Sequence, residues 1–306
     1  MNKKITMALV ATLTLLSLTS TAKAEETKPT LAIIDTALDS TIPSFAGRIT
    51  HEVCMLDWNS CPNKTSFMEG PGAAGLPSNI YALNNFDHGT QMTSIALAAN
   101  PNMNVVFIRI IGNTPRGDRQ ITSEATVYKA LNWVAQNKSK YNIQAVAMSQ
   151  GRHDFPLRDD YCPKTPTTVA SINTLIGMGV PTFFAAGNNR DYFRIDWPAC
   201  LTESISIGAT DQYNAIALYS NFDKNKIDFF ALGITRAYKP GNIQVNAAGT
   251  SVSNQIAAAQ WIALKQAKPT LTYQQAYDLL LAKSKSVYNS KITGGKLIDI
   301  GAAING

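Results

Sequence analysis

The 306-residue chain carries 27 lysines and arginines against 21 acids, a formal charge of +6, and 45% of its residues are hydrophobic. Lys3, Lys4 and Lys23 belong to a leader described below, and without them the excess falls to +3. No basic run or aromatic-interleaved basic strip is present, so the composition argues against a nucleic-acid partner.

Residues 1–24 read as a secretory signal peptide. Lys3-Lys4 forms the basic start, Ile5 to Leu18 the apolar stretch, and Ala22-Lys23-Ala24 the cleavage site. The apolar stretch is short for a membrane anchor, and Glu25-Glu26 follows it without a stop-transfer pattern. The expected product is residues 25–306, one exported domain in a periplasm or outside the cell, with no stable membrane anchor and an oligomeric state that the sequence leaves open. Four cysteines, Cys54, Cys61, Cys162 and Cys200, lie in that part. An even count in an oxidising compartment points to disulfides, with three connectivities open. Their spacing matches no zinc site.

Leu31-Ala-Ile-Ile-Asp35 reads as a buried parallel strand that ends in an acid. Residues 40–86, broken by Pro43, Pro62, Pro71, Gly72, Gly75 and Pro77, read as loop with at most a short hairpin, which a Cys54–Cys61 bridge would staple. His88, one of three histidines, then opens an apolar helix to Ala99. Neither His51 nor His153 begins an element, and His153 reads as solvent-exposed. Further strands are expected at Val105–Ile110, Ile143–Met148, Pro181–Gly187, Ile205–Thr210 and Ile227–Gly233. Helices are expected at Ser123–Lys138, at Thr168–Met178, after the Gly249-Thr250-Ser251 turn as far as Ala267, and from the capping box Thr272-Tyr-Gln-Gln275 to about Ser284. The alternation predicts an α/β domain of three layers, a mainly parallel sheet with helices on both faces.

Three strand ends or helix mouths thus present Asp35, His88 and Ser251, in that order. A hydroxyl is a weak nucleophile until a base takes its proton, and the base needs a carboxylate to fix its tautomer. Asn188, after the fourth strand, could donate its amide to an oxyanion beside the Ser251 N–H. Ser149-Gln150-Gly151, at another strand end, could pair its main chain with an extended peptide.

These residues resemble the subtilisin-like serine proteases, the subtilases. The resemblance rests on Asp35-Thr36, His88-Gly89-Thr90, Ser149-Gln150-Gly151, Ala185-Ala186-Gly187-Asn188 and Gly249-Thr250-Ser251, in the family's order, and runs from about Leu31 to Ala303. It implies a subtilisin-like fold and an exported endopeptidase acting through an acyl-enzyme. Asp35 would be the orienting acid, His88 the base, Ser251 the nucleophile and Asn188 the oxyanion donor. Ser149, Gln150 and Gly151, with Ala185, Ala186 and Gly187, would line the cleft for protein or peptide substrates. The second stretch implies an uncharged first pocket. The loops bearing Cys162 and Cys200 would both emerge on the catalytic edge, where a bridge between them would brace the cleft. Asp39 and Asp57 do not form a recognisable calcium loop, so no cofactor or metal is expected and calcium is without support.

The chain departs from the family pattern at several places. Ala37 takes the place of a glycine after Asp-Thr, and Ala231-Leu232-Gly233 that of Ala-Pro-Gly. After Ser251 the family's Met-Ala-x-Pro-His is replaced by Val252-Ser-Asn-Gln-Ile256. Only Glu25 to Ile34 separate the expected cleavage site from Asp35, without the family's long pro-segment, so the mature chain is expected to refold alone when oxidised. The rival reading from another class is a catalytically impaired relative that binds peptides. A dinucleotide site is excluded because Asp35-Thr-Ala-Leu-Asp39 lacks the glycines. A G-x-S-x-G esterase is excluded by Gly249-Thr-Ser-Val-Ser253.

Overall fold

A computed structural model describes residues 28–77, 80, 86–114, 116, 118–157 and 160–306. The leader expected at 1–24 lies outside these residues. In chain order the described elements are β1 (Thr30–Asp35), β2 (Ile49–Met55), β3 (Phe67–Glu69), α1 (His88–Ala99), β4 (Asn104–Arg109), α2 (Glu124–Asn137), β5 (Ile143–Met148), α3 (Pro166–Gly177) and β6 (Thr182–Ala185). After them come β7 (Ile205–Thr210), β8 (Phe229–Leu232), β9 (Ile234–Lys239), β10 (Ile243–Ala248), α4 (Thr250–Ala267), α5 (Tyr273–Lys283), β11 (Lys285–Val287), β12 (Gly295–Leu297) and α6 (Ile300–Asn305).

The main sheet runs β11-β12-β8-β7-β6-β5-β1-β4-β2-β3, parallel except at its two ends, where β2–β3 and β11–β12 pair antiparallel. β1 is the centre, with β4 on one side and β5 on the other. The strand order reverses there, which places the functional crevice of an open α/β sheet outside the C-terminal end of β1, at Asp35. All six residues of β1 are buried. Ala32 and Ile34 pack into the cluster that includes Val127, Leu131 and Ile172 of α2 and α3. Leu31 and Ile33 face the opposite cluster, which includes Ala96, Ala258, Trp261 and Leu280 from α1, α4 and α5. The period-2 strand thus serves two helical layers at once, as the expected architecture requires.

Two local signals work as written. Ser123 caps α2 by accepting from the Thr126 N–H, and Thr272 and Gln275 close the reciprocal capping box of α5. The expectation for residues 40–86 needs correction, because Ile49–Met55 is a full strand in parallel register with β4. Thr50, His51 and Glu52 interrupt its apolar pattern. Glu52 is nevertheless buried and accepts from the Ala74 N–H. The β9–β10 hairpin also went unpredicted. It pairs as a sheet of its own and buries only Ala237 and Ala247, against Met92 and Ile95 of α1, so neither strand carries a long core stripe. Pro240-Gly241-Asn242, with positive φ at Gly241 and Asn242, is the turn signal that could have found it.

The cysteines pair as Cys54–Cys61 and Cys162–Cys200. Among the described residues, no helix is long and apolar enough to cross a membrane.

Candidate active site

Asp35 ends β1 with no exposed surface, and His88 is the first residue of α1. The two meet with His88 Nδ1–H donating to Asp35 Oδ1 at 2.7 Å. The same carboxylate oxygen accepts the Thr36 N–H at 2.7 Å. A carboxylate so held fixes the imidazole with Nδ1 protonated and Nε2 free to accept a proton.

Ser251 lies in the first turn of α4. Gly249 precedes the helix with φ of +147°, a backbone that L residues rarely adopt, so only glycine turns the chain here without strain. Ser251 is therefore inside the helix, one residue past its first position, half-buried with the helix dipole behind it. Helices α1 and α4 pack on one sheet face, tied by Asn100 Nδ2 donating to Ala259 O and to Gln266 Oε1. Adjacent residues then link their mouths. Ser149 Oγ donates to Ser251 O at 3.3 Å, and Gln150 Nε2 lies 3.0 Å from Asp35 Oδ1 and 3.1 Å from His88 Nδ1. A direct hydrogen bond between His88 and Ser251 is not formed; in unliganded sites such contacts are often long and tighten with substrate.

Asn188 is exposed just beyond β6. Its side-chain oxygen accepts both the Thr250 N–H at 2.9 Å and the Thr250 hydroxyl at 3.1 Å, which leaves its NH2 group as the outward donor. Thr250 Oγ1 also accepts the Gly187 N–H at 3.1 Å. One threonine thus joins the start of α4 to the strand end carrying Asn188.

The remaining site residues divide. Ser149, Gly151 and Ala185 keep some exposure at the strand ends, whereas the Gln150 side chain turns inward to Asp35. Ala186 is fully buried; its N–H donates to Ile207 O and its C=O accepts from Asp196 N–H, so it backs the site without opening onto it. The stretch expected to line an uncharged pocket packs against a carboxylate. A Cβ placed on Gly187 would sit 2.3 Å from Asp196 Oδ1, and one on Gly151 would sit 3.3 Å from Asp196 Cβ. His153, expected in solvent, is instead half-buried between two acids, 2.7 Å from Asp196 and 3.0 Å from Asp191. The hydrogen bond to Asp196 raises its pKa above the ordinary value, against the opposing effect of burial. Burial pushes the Asp196 carboxyl up despite His153 and Asn221. At Asp191 burial also pulls upward but is outweighed by hydrogen bonds from the Phe193 N–H, Arg194 and His153, so its value falls.

The sequence profile of the subtilase family matches residues 26–295, nearly the whole described chain. The chain belongs to the subtilase family. Among curated subtilases it is 24% identical over 242 residues to alkaline elastase YaB of Bacillus sp. (strain YaB), a match that covers 76% of this chain and 59% of that protein. It is 23% identical over the same length to subtilisin BL of Lederbergia lenta, covering 82% of the latter. The chain thus spans less than two thirds of the elastase's length. Among solved structures, a protease of Pseudoalteromonas arctica PAMC 21717 superposes with a TM-score of 0.71 at 20% identity, covering 91% of each chain. A lanthipeptide protease gives 0.69 at 16% identity, covering 90% of this chain and 87% of the other.

Within this subtilase the unusual residues after Ser251 have structural partners. Gln255, where relatives of the motif carry proline, donates to Ser149 Oγ at 3.1 Å. Asn254 donates to Met148 O at 3.0 Å and Phe183 O at 3.2 Å, binding the end of β5 and the middle of β6 to α4. Neither role is visible in the sequence, where Gln255 registers only as a missing proline. Among the described residues no cluster of three or more His, Cys, Asp or Glu side chains is placed to hold a metal.

Proposed function

We propose that this subtilase is an exported serine endopeptidase, released by cleavage after Ala24, that hydrolyses peptide bonds through an acyl-enzyme and uses neither metal nor cofactor. The observation that carries the reading is the pairing of buried Asp35 with His88 at 2.7 Å beside the helix mouth that presents Ser251. In this reading Ser251 Oγ attacks the scissile carbonyl as its proton passes to His88 Nε2, and Asp35 stabilises the imidazolium. The Ser251 N–H and the Asn188 amide donate to the oxyanion; Thr250 has already fixed that amide, so little reorganisation accompanies the attack. His88 then protonates the leaving amine, and water repeats the sequence on the acyl-enzyme. An extended peptide would lie along Ser149–Gly151 and against Ala185–Gly187, with the Asp196–His153 pair bordering its first pocket.

Labelling with a fluorophosphonate tests the chemistry. Covalent labelling at Ser251 is expected, lost in Ser251→Ala and slowed about 10⁴-fold or more in His88→Ala. Labelling that persists in Ser251→Ala, or its absence from the oxidised, folded protein, refutes the proposal.

A further inference from the structure

Gln150 occupies a place assigned above to a substrate wall, yet its side chain is only 8% exposed and faces the other way. Its Oε1 accepts from Arg119 Nη2 at 2.6 Å, and its Nε2 donates to Asp35 Oδ1 at 3.0 Å. The orientation is forced. Rotating the amide would set its NH2 against the guanidinium and its oxygen against the carboxylate, two repulsive contacts in a buried site. Asp35 Oδ1 therefore receives three donors, from Thr36, His88 and Gln150, while the buried Oδ2 has no hydrogen-bond partner.

Arg119 is anchored for this task. Its residue bridges to Asn113, and its neighbour Gln120 donates to Gly112 O and to Asp57 Oδ2. Its own Nε is buried without a partner, so the cation is held out of water on the side facing Gln150. Burial lowers the guanidinium's pKa, opposed by the charge of Asp35, but an arginine stays protonated. The structure holds a guanidinium and a carboxylate joined by one amide, and the imidazole bonds to that carboxylate.

We propose that Arg119 and Gln150 are positioning residues that clamp Asp35 and hold down the basicity of His88. The proposal rests on the triad reading above. The added donor and cation draw charge from the oxygen that His88 uses, so the imidazolium gains less from Asp35 than it would otherwise. Removing either should make His88 hold its proton more tightly. A second buried cation, Arg109, stands in register with Asp35 on β4 and donates to Ile111 O and Gly75 O; it is unchanged in every variant compared below. Asp87 accepts from Gln91, and Asp39 accepts from Thr41 and the Gly241 N–H.

The experiment measures the second-order rate of fluorophosphonate labelling at Ser251 against pH, in wild type, Gln150→Leu, Arg119→Leu and Arg119→Lys. The midpoint of the rise with pH should move upward by about half a unit to one unit in the two leucine variants. Arg119→Lys, which keeps the charge, should stay near the wild-type midpoint. A uniform fall in rate at an unmoved midpoint is the signature of a merely structural role and overturns the proposal. A second measurement does not need the reaction: NMR titration of the His88 ring in a Ser251→Ala background, with and without Gln150→Leu. The same upward shift supports the clamp, and no shift overturns it. Wild-type protein that titrates as described but is never labelled would instead refute the peptidase reading, so the two failures are distinguishable.

Discussion

The two disulfides should differ in worth by an amount set by the loops they close. Cys54–Cys61 spans 7 residues and Cys162–Cys200 spans 38. Loop-closure entropy in the unfolded chain then gives about 2.3 kcal/mol for the first and about 3.9 kcal/mol for the second. Cys54, Cys61 and Cys200 are all at least 97% buried, so paired alanines are the right replacement; serines would bury hydroxyls and confound the comparison. Both double variants belong on a Ser251→Ala background, which on the proposed mechanism removes self-digestion. With about 2–4 °C lost per kcal/mol in a domain near this size, Cys54→Ala/Cys61→Ala should unfold about 5–9 °C below its parent and Cys162→Ala/Cys200→Ala about 8–16 °C below. Far-UV circular dichroism melts without reductant read both shifts. If the short loop costs as much as the long one, chain entropy is not what these bridges supply, and the reasoning fails.

Gly187→Ala should be the most damaging single methyl near the site. Its φ of +101° disfavours any Cβ, and the new atom would lie 2.3 Å from Asp196 Oδ1 and 2.4 Å from Asn221 Nδ2. A loss of about 2–4 kcal/mol is expected in denaturant titration, with labelling at Ser251 slowed because Asn188 is the next residue; a loss below 1 kcal/mol would contradict the packing described. Resistance to peroxide should be high. Val252 takes the place of the family's methionine, and Met92, which packs in the same cluster, is 2% exposed. Rapid loss of labelling in mild peroxide, with no change at the cysteines by mass spectrometry, would contradict that. The His153 cluster gives a pH dependence with a definite sign. Its folded pKa lies above the ordinary 6.5, so its contribution is fully present below 6.5 and fades as pH rises through the folded value. His153→Gln should therefore flatten the decline in stability above pH 6.5, and a wild-type melting temperature rising through that window would reverse the assignment.

Much of the candidate site could be read from residue order, because Asp35, His88 and Asn188 each sit where a buried apolar strand or helix begins or ends, and periodicity locates such junctions. Gly249-Thr250-Ser251 was legible for the same reason. β2 escaped because Glu52, a buried acid satisfied by Ala74 some twenty residues on, breaks the pattern that periodicity detects. The charged pair beneath Gly187 escaped because Asp196 and His153 are 43 residues apart and meet only when β5 and β6 lie side by side. Gln150 could be located at a strand end, but where its side chain turns could not be read. A sequence gives a residue's address on a strand end, but whether it faces solvent or a buried carboxylate depends on a partner as distant as Arg119.

Asn254 and Gln255 carry a consequence for anyone who would restore the family's usual residues after Ser251. The amides of α4 and the hydroxyl of Ser149 are mutual partners, so these positions form a coupled block. Placing proline alone at 255 would strip Ser149 of the shorter of its two donors, leaving only Asn254, and loosen the contact with the Ser251 carbonyl, whatever it does for the helix. The native-looking substitution is thus expected to be worse than the unusual residue it replaces, unless the strand end at 149 is rebuilt with it. Divergence here takes the form of exchanged partners, and a motif score that counts positions one at a time will record it as decay.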